Sequence, residues 1–184
     1  MFDRATARIA LLAALSCVAI TATPHVAAAT APIAALACAN AHLPLSILDG
    51  AAAHSEGAAL KMVVVRAPKA TLHLAVAANE YNREIGLMCV VRMRAHAGMI
   101  FEFGKDVQQQ FWMKNTLIPL DMIWVESSGV VNTVAANVPA SSMQTTDDAV
   151  ARRNGFGRYV IELRPGEALR DGIAPGVKLT IPAL

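Results

Sequence analysis

Hydrophobic and polar positions alternate along the chain from about residue 59 onward. Residues 61–66 are mostly apolar and β-branched, and residues 71–77 alternate between polar and apolar side chains. Pro68 lies between the two stretches and favours a turn. Because alternation is typical of strands with one buried face, this pattern predicts a β-hairpin at the start of the domain.

A helical pattern follows this hairpin. Tyr81, Ile85 and Met88 recur at helical spacing and are expected to face the core. Asn79 precedes them, and its side chain can accept from free amides of a first helical turn. The pattern therefore predicts one short helix at about residues 79–88.

The rest of the chain returns to strand-like patterns. Further strands are predicted at 98–103, 111–114, 120–126, 130–138, 158–163 and 177–181. Residues 120–126 are apolar on both faces, which places them inside the fold. Seven or eight strands with one helix, and no βαβ alternation, predict a mainly β domain. We expect a small β-sandwich, jelly-roll-like or closed-barrel architecture.

The first 29 residues have the pattern of a secretory signal peptide. Arg4 and Arg8 form a basic start, residues 9–20 are almost wholly apolar, and small residues follow at 26–29. The apolar run is shorter than the roughly 20 residues that a membrane-spanning helix needs. Cleavage near residue 29 would place the protein in the periplasm or outside the cell.

Residues 30–58 are rich in alanine without a sustained period, which indicates a linker before a single domain at 59–184. Membrane attachment would require an uncleaved signal or a lipid on Cys17 or Cys38. Both are disfavoured, because the signal's apolar run is short and alanine stands three positions before each cysteine, where lipidation sites prefer a bulky aliphatic residue.

Charge and cysteine content narrow the function further. The chain carries 16 Lys and Arg against 14 Asp and Glu, a formal net charge of +2, and its basic residues form no patch in sequence. Nucleic-acid binding therefore has no support. Cys38 and Cys89 would remain after signal cleavage and could form a disulfide in an oxidising compartment. Two free or buried thiols are the alternative.

Residues 111–121, with the sequence FWMKNTLIPLD, hold the densest polar cluster within an apolar region. We call them the central segment. Lys114 and Asp121 could form an ion pair across the corner at Pro119, which would make the cluster structural. Alternatively, the cluster lines a small ligand pocket. Its candidate binding residues are Trp112, Lys114, Asn115, Thr116, Asp121 and Trp124. Catalysis by Asp121 or Lys114 is a third interpretation, although a lone acid and a lone amine specify no reaction.

Other candidate chemistry is weak. Five methionines within 35 residues could bind Cu(I), but methionine more often fills irregular cores. These are Met88, Met93, Met99, Met113 and Met122. His73 and His96 lack companion ligands at metal spacing. Glu162 lies between apolar neighbours on a predicted strand and is expected to mark a polar face or to pair with Arg158. No metal site, catalytic residue or cofactor is predicted.

Several motifs together resemble one known family. They are Gly86-Leu87-Met88, Gly98–Phe101, the central segment, Tyr159–Leu163, Gly172-Ile173 and Pro175-Gly176. Their order and spacing are similar to those of domain-of-unknown-function family 192, over roughly residues 60–182. The resemblance implies a mainly β fold like a small sandwich or jelly roll, frequent signal peptides, and no established activity.

The chain departs from the family in one place. A basic residue often follows the family's Gly-Leu-Met soon afterwards, whereas Cys89 follows here and the next arginine is Arg92. A role that depends on the family's early basic residue is therefore not expected in this chain. Cys89 also stands where an aromatic or polar residue is common, which fits a local disulfide.

These observations lead to one functional hypothesis and two alternatives. We expect an exported, non-enzymatic β-domain that binds a small ligand or an envelope protein near the central segment. A hydrolase-type envelope enzyme that uses Asp121 is the first alternative, and a purely structural domain is the second. An enzyme would need Asp121 to be reachable in a concave site with a second ionisable group nearby.

Overall fold

The computed structural model describes residues 60–184, so the predicted signal peptide, the linker and Cys38 lie outside the described residues. The described strands are β1 (Met62–Arg66), β2 (Thr71–Ala77), β3 (Ala97–Trp112), β4 (Leu120–Val125), β5 (Val131–Val138) and β6 (Arg152–Leu163). The helices are α1 (Glu80–Ile85) and α2 (Glu167–Arg170). No helix in this part of the chain is long and apolar enough to cross a membrane.

The strands form one mixed sheet in the order β1-β2-β3-β6-β4-β5. All neighbouring pairs are antiparallel except β2 and β3, which are parallel and joined by the connection that contains α1. The mainly β prediction is confirmed, and β1 and β2 form the predicted hairpin. The expectation that the chain contains no βαβ unit is wrong, because β2, α1 and β3 form one.

The sheet is neither a sandwich nor a closed barrel, which corrects the predicted architecture. A single open sheet is sufficient because other segments cover both of its faces. The segment after α1 covers one face with Leu87, Val90 and Met93. Ala168, Ile173 and Leu179 from the C-terminal region cover the other.

The C-terminal segment also satisfies backbone groups at both edges of the sheet. Thr180 exchanges backbone hydrogen bonds of 3.0 and 3.1 Å with Arg66 at the end of β1. Leu179 donates to the carbonyl of Gly129, just before β5, at 2.8 Å. These contacts protect the edge strands, which would otherwise expose free amides and carbonyls.

The centre of the sheet is buried on both faces, as predicted for residues 120–126. Every residue of β4 is buried. Met122, Trp124 and Val160 belong to the core on one face, whereas Ile123 and Ile161 belong to the core on the other. The predicted strands at 98–103 and 111–114 are one 16-residue strand, β3, whose register shifts between Glu102 and Val107.

Helix α1 begins as its sequence predicts but ends at Ile85, before the predicted end near residue 88. The side chain of Asn79 accepts from the backbone amide of Asn82 at 2.8 Å. Gly86 ends the helix with a φ of +50°, a conformation that favours glycine. A Cβ at this position would lie 3.2 Å from Cζ of Phe101, so the glycine also lets the helix end approach that ring closely.

Candidate functional site

The central segment divides into a part at the surface and a part in the core. Trp112 ends β3 and is 40% exposed, and the guanidinium of Arg152 lies 5.8 Å from the centre of its ring. Lys114 is partly exposed, whereas Asn115 and Asp121 are buried. The six predicted site residues therefore do not form one site.

Asp121 is fully buried and makes structural hydrogen bonds. One carboxylate oxygen accepts from the backbone amide of Asn137 in β5 at 2.8 Å. The other accepts from the amide of Ala168 in α2 at 2.9 Å. The carboxylate thus fastens an edge strand and a helix to the centre of the sheet, and no bound substrate could reach it without displacing these contacts.

Asn115, Thr116 and Trp124 also hold the fold together. Asn115 has a φ of +52°, and its carbonyl accepts from the amide of Cys89 at 2.8 Å. The Thr116 hydroxyl donates to the carbonyl of Lys114 at 3.2 Å. Trp124 is fully buried, and a Cβ at Gly155 would lie 2.2 Å from its ring. Only glycine therefore allows the backbone to pass so close to this tryptophan.

The expected ion pair between Lys114 and Asp121 does not form. Lys114 pairs instead with Asp147, an exposed residue of the long connection between β5 and β6. Sequence proximity suggested the wrong partner, because Asp121 turns into the core on β4 while Lys114 stays at the surface.

Replacing Lys114 by methionine is expected to change stability only slightly. Ion pairs with an exposed partner typically contribute less than about 1 kcal/mol, so the free energy of unfolding should fall by no more than that. Urea denaturation of Lys114→Met beside Asp147→Asn checks this. A loss above about 2 kcal/mol in Lys114→Met alone would show that the lysine has a structural role that the ion pair does not explain.

A cavity of about 340 Å³ lies between α1 and the sheet. We call it the α1 cavity. Trp112, Lys114 and Thr116 of the central segment line it, whereas Asn115, Asp121 and Trp124 do not. The other lining residues are Glu80, Arg83, Glu84, Ile85, Gly86, Leu87, Met88, Phe101, Phe103, Gln110, Phe111 and Glu162. This volume is within the range of small-molecule sites in proteins.

Glu162 is the buried acid of the α1 cavity. It stands on β6 opposite Met99 of β3 and Met122 of β4, and it is 4% exposed. Among the described residues, no hydrogen bond to its carboxyl is found, and Arg158, its expected partner, pairs with Glu102. Burial raises the pKa of Glu162 to about 8 because nothing compensates the charged form. The carboxyl is therefore mostly protonated at neutral pH.

Aromatic rings form one wall of the α1 cavity. Phe111 contacts Phe101 and Phe103 edge to face, with ring centres 4.9 and 6.1 Å apart. The guanidinium of Arg83 lies 5.2 Å from the centre of the Phe103 ring. An apolar wall beside one unpaired carboxyl and several charged rim residues can bind a small molecule that has both a hydrocarbon part and a polar group.

The burial of Glu162 has a signal in the sequence, although Glu162 was expected to mark a polar face or to pair with Arg158. A carboxyl inside Tyr159–Leu163, where both strand faces are buried, has no polar face to occupy. The contribution of α1 could not be found in this way, because it depends on how the helix packs against β3.

A second polar pair was also missed by sequence. Nδ1 of His96 lies 3.1 Å from the buried carboxylate of Asp171, and neither residue lines the α1 cavity. The two are far apart in sequence, so spacing gave no sign of the contact. No group of three or more potential metal ligands occurs within residues 60–184.

Only one cysteine of the predicted disulfide, Cys89, is among the described residues. Cys89 is disulfide-bonded in the structure, and the expected partner Cys38 lies outside the described residues. Their pairing stays a prediction.

Comparison with known proteins settles the family. The model of DUF192, described as "Uncharacterized ACR, COG1430", matches residues 63–181. The chain belongs to this family. The DUF192 match covers nearly all of the described residues and confirms the resemblance drawn from the motifs. No curated protein is similar enough to this chain to match it.

Two crystal structures are similar to this DUF192 chain. One is a Sinorhizobium meliloti protein named "putative transcription regulator", with 32% identity and a TM-score of 0.58, covering 66% of this chain and 95% of that one. The other is a Novosphingobium aromaticivorans protein of unknown function, with 30% identity and a TM-score of 0.55, covering 71% and 91%. Neither description supplies an established activity.

Proposed function

We propose that this DUF192 protein is a non-enzymatic binding domain that holds a small organic molecule in the α1 cavity. The observation that carries the proposal is Glu162, whose buried carboxyl lines the cavity and has no hydrogen bond to another described residue. Burying a carboxyl without a hydrogen-bond partner costs free energy. A ligand would supply the missing partner.

The α1 cavity lies partly where the sequence analysis placed the ligand site, near the central segment. Trp112, Lys114 and Thr116 line the α1 cavity, so the central segment contributes part of its wall. Glu162 replaces Asp121 as the acid of interest, because Asp121 is occupied by two backbone amides. Export by the predicted signal peptide remains part of the proposal, and the ligand would then be a molecule of the cell envelope or its surroundings.

Binding is tested by recording amide NMR spectra of the full chain with 2-phenylethanol, 2-phenylethylamine or phenylacetate at millimolar concentrations. Each probe combines one benzene ring with a different polar end. We expect at least one to shift the amide signals of residues 85–88 and 110–116 in a saturable way. The amides near His96 and Asp171 serve as the control and should not move. If none of the three probes causes saturable shifts, the proposal is contradicted.

The same carboxyl favours one alternative, a proton-transfer enzyme. A buried acid with a pKa near 8 at the wall of a cavity can donate and accept protons at neutral pH. Glu162 would then act in place of Asp121 in the enzyme considered from sequence. Conversion of a bound probe into a product, detected in the same NMR samples over time and lost in Glu162→Gln, would favour the enzyme over the binding domain.

A further inference from the structure

The two basic residues that line the α1 cavity already have partners. Nη1 of Arg83 donates to the carbonyls of Ala78 and Glu102, and its guanidinium stacks against Phe103. Lys114 pairs with Asp147. The charge of Lys114 is therefore neutralised by an ion pair, whereas Arg83 has no ion pair within residues 60–184 but is held by two carbonyls and a ring.

The acidic residues of the cavity are in the opposite situation. Glu80 and Glu84 project from exposed positions of α1 and line the cavity. Neither forms an ion pair with another residue in the described range 60–184, and Glu162 has no hydrogen-bond partner there. The groups without partners around the cavity are thus acids.

The aromatic wall favours the same kind of ligand. The faces of Phe and Trp rings carry partial negative charge and attract cations, most strongly where water is excluded. Phe101, Phe103, Phe111 and Trp112 all line the cavity. Arg83 and Arg152 already lie over the Phe103 and Trp112 rings, so Phe101 and Phe111 are the rings left for a ligand. An anion would meet the three acids of the cavity, and Arg83, the lining base without an ion pair, is already bound to two carbonyls.

We infer that the ligand of the α1 cavity is a small organic amine whose ammonium group pairs with Glu162 and whose hydrocarbon part lies against the phenylalanines. This inference rests on the proposed function and names the class of molecule bound. Glu80 and Glu84 would attract the cation at the entrance, and the aromatic rings would surround its hydrocarbon part.

Binding of an amine would release a proton. The ammonium ion enters with its charge, the O–H bond of the neutral Glu162 carboxyl breaks, and the proton passes to the buffer as the ion pair forms. The residues opposite Glu162 on β3 and β4 are methionines, so they do not titrate. The charged residues that line the cavity are Glu80, Arg83 and Glu84 from α1 and Lys114.

The test uses isothermal titration of the full chain with the three phenyl compounds in two buffers that differ in ionisation enthalpy. At pH 7 we expect 2-phenylethylamine to bind about tenfold or more tightly than 2-phenylethanol, and phenylacetate to bind most weakly. Amine binding should release nearly one proton, and its affinity should rise between pH 6 and pH 8.

Two variants test which acids of the cavity bind the ammonium group. Asp148→Asn, which removes an exposed charge outside the cavity, is the matched control. Glu162→Gln, the neutral isostere of the protonated acid, should lower amine affinity about tenfold and abolish proton release while it leaves 2-phenylethanol binding nearly unchanged. Glu84→Gln should lower amine affinity by roughly two- to threefold, as expected for an exposed charge. Asp148→Asn should change neither affinity.

Each contrary result has a distinct meaning. Tighter binding of 2-phenylethanol or phenylacetate than of the amine would overturn the inference and keep the proposed function. Amine binding without proton release, or unchanged in Glu162→Gln, would overturn the pairing with Glu162. No binding of any probe would overturn both the inference and the proposed function.

Discussion

Raising the pH from 5 to 8 is expected to lower the stability of this DUF192 protein through Glu162 alone by roughly 3 to 4 kcal/mol. The cause is the difference between the pKa of about 8 in the folded protein and the ordinary value of 4.5. Between these two values the unfolded chain loses its proton while the folded protein keeps it. The free energy of unfolding therefore falls as the pH rises, and the stability of the protonated form is fully present only below about pH 4.5.

The Glu162→Gln variant isolates this contribution. Glutamine has nearly the same shape as the protonated acid and does not titrate, so its stability should be close to wild type at pH 5 and higher at pH 8. Other groups titrate in both proteins and cancel in the comparison. Urea denaturation at both pH values measures the difference, and Glu84→Gln, an exposed acid on the same cavity, is the control.

Equal pH dependence in wild type and Glu162→Gln would contradict the prediction. It would mean that Glu162 is ionised in the folded protein at neutral pH. The carboxyl would then have a partner that the structure does not contain, or solvent contact well beyond the 4% exposure of Glu162.

Replacing Asp121 by alanine is expected to cost roughly 3 to 5 kcal/mol. The change removes the acceptor of the buried Ala168 amide and of the partly buried Asn137 amide. Asp121→Asn should cost less, about 1 to 3 kcal/mol, because its single carbonyl oxygen can replace only one of the two acceptors. Urea denaturation with constant m-value measures both.

The control for Asp121 is Asp147→Asn. Asp147 is also an acid with a polar partner, but its side chain is 67% exposed, so its loss should cost less than about 1 kcal/mol. If Asp121→Ala were as stable as Asp147→Asn, the carboxylate would not be the fastening that its hydrogen bonds indicate. Binding of the phenyl probes should survive in Asp121→Asn, because Asp121 does not line the α1 cavity.

The local structure of this protein followed from local sequence. The start of α1 at Asn79 and the buried strand β4 were correctly predicted. Each depends on side chains and backbone preferences within a few residues, which a single sequence displays.

The strand order did not follow from sequence. The parallel pairing of β2 with β3 depends on how the connection through α1 packs, and alternation within a strand contains no information about its neighbours. The predicted sandwich or barrel assumed that each sheet face needs another sheet. In the structure, the segment after α1 and the C-terminal segment cover those faces.

Only part of the candidate site was predicted, because the rest also depends on long-range packing. The central segment does line the α1 cavity, but its buried acid turned out to serve the fold. Glu162 was paired with Arg158 because the two are neighbours in sequence, whereas Arg158 contacts Glu102 on the adjacent strand. Long-range packing decided which carboxyl was left without a partner.

Carbon-13 NMR titration of the Glu162 side-chain carboxyl, assigned by its absence in Glu162→Gln, tests the account most directly. We predict a midpoint near pH 8 for the free protein, lowered by about two units or more when 2-phenylethylamine is bound. A midpoint near 4.5 in the free protein would show that Glu162 is an ordinary ionised side chain and would contradict the account.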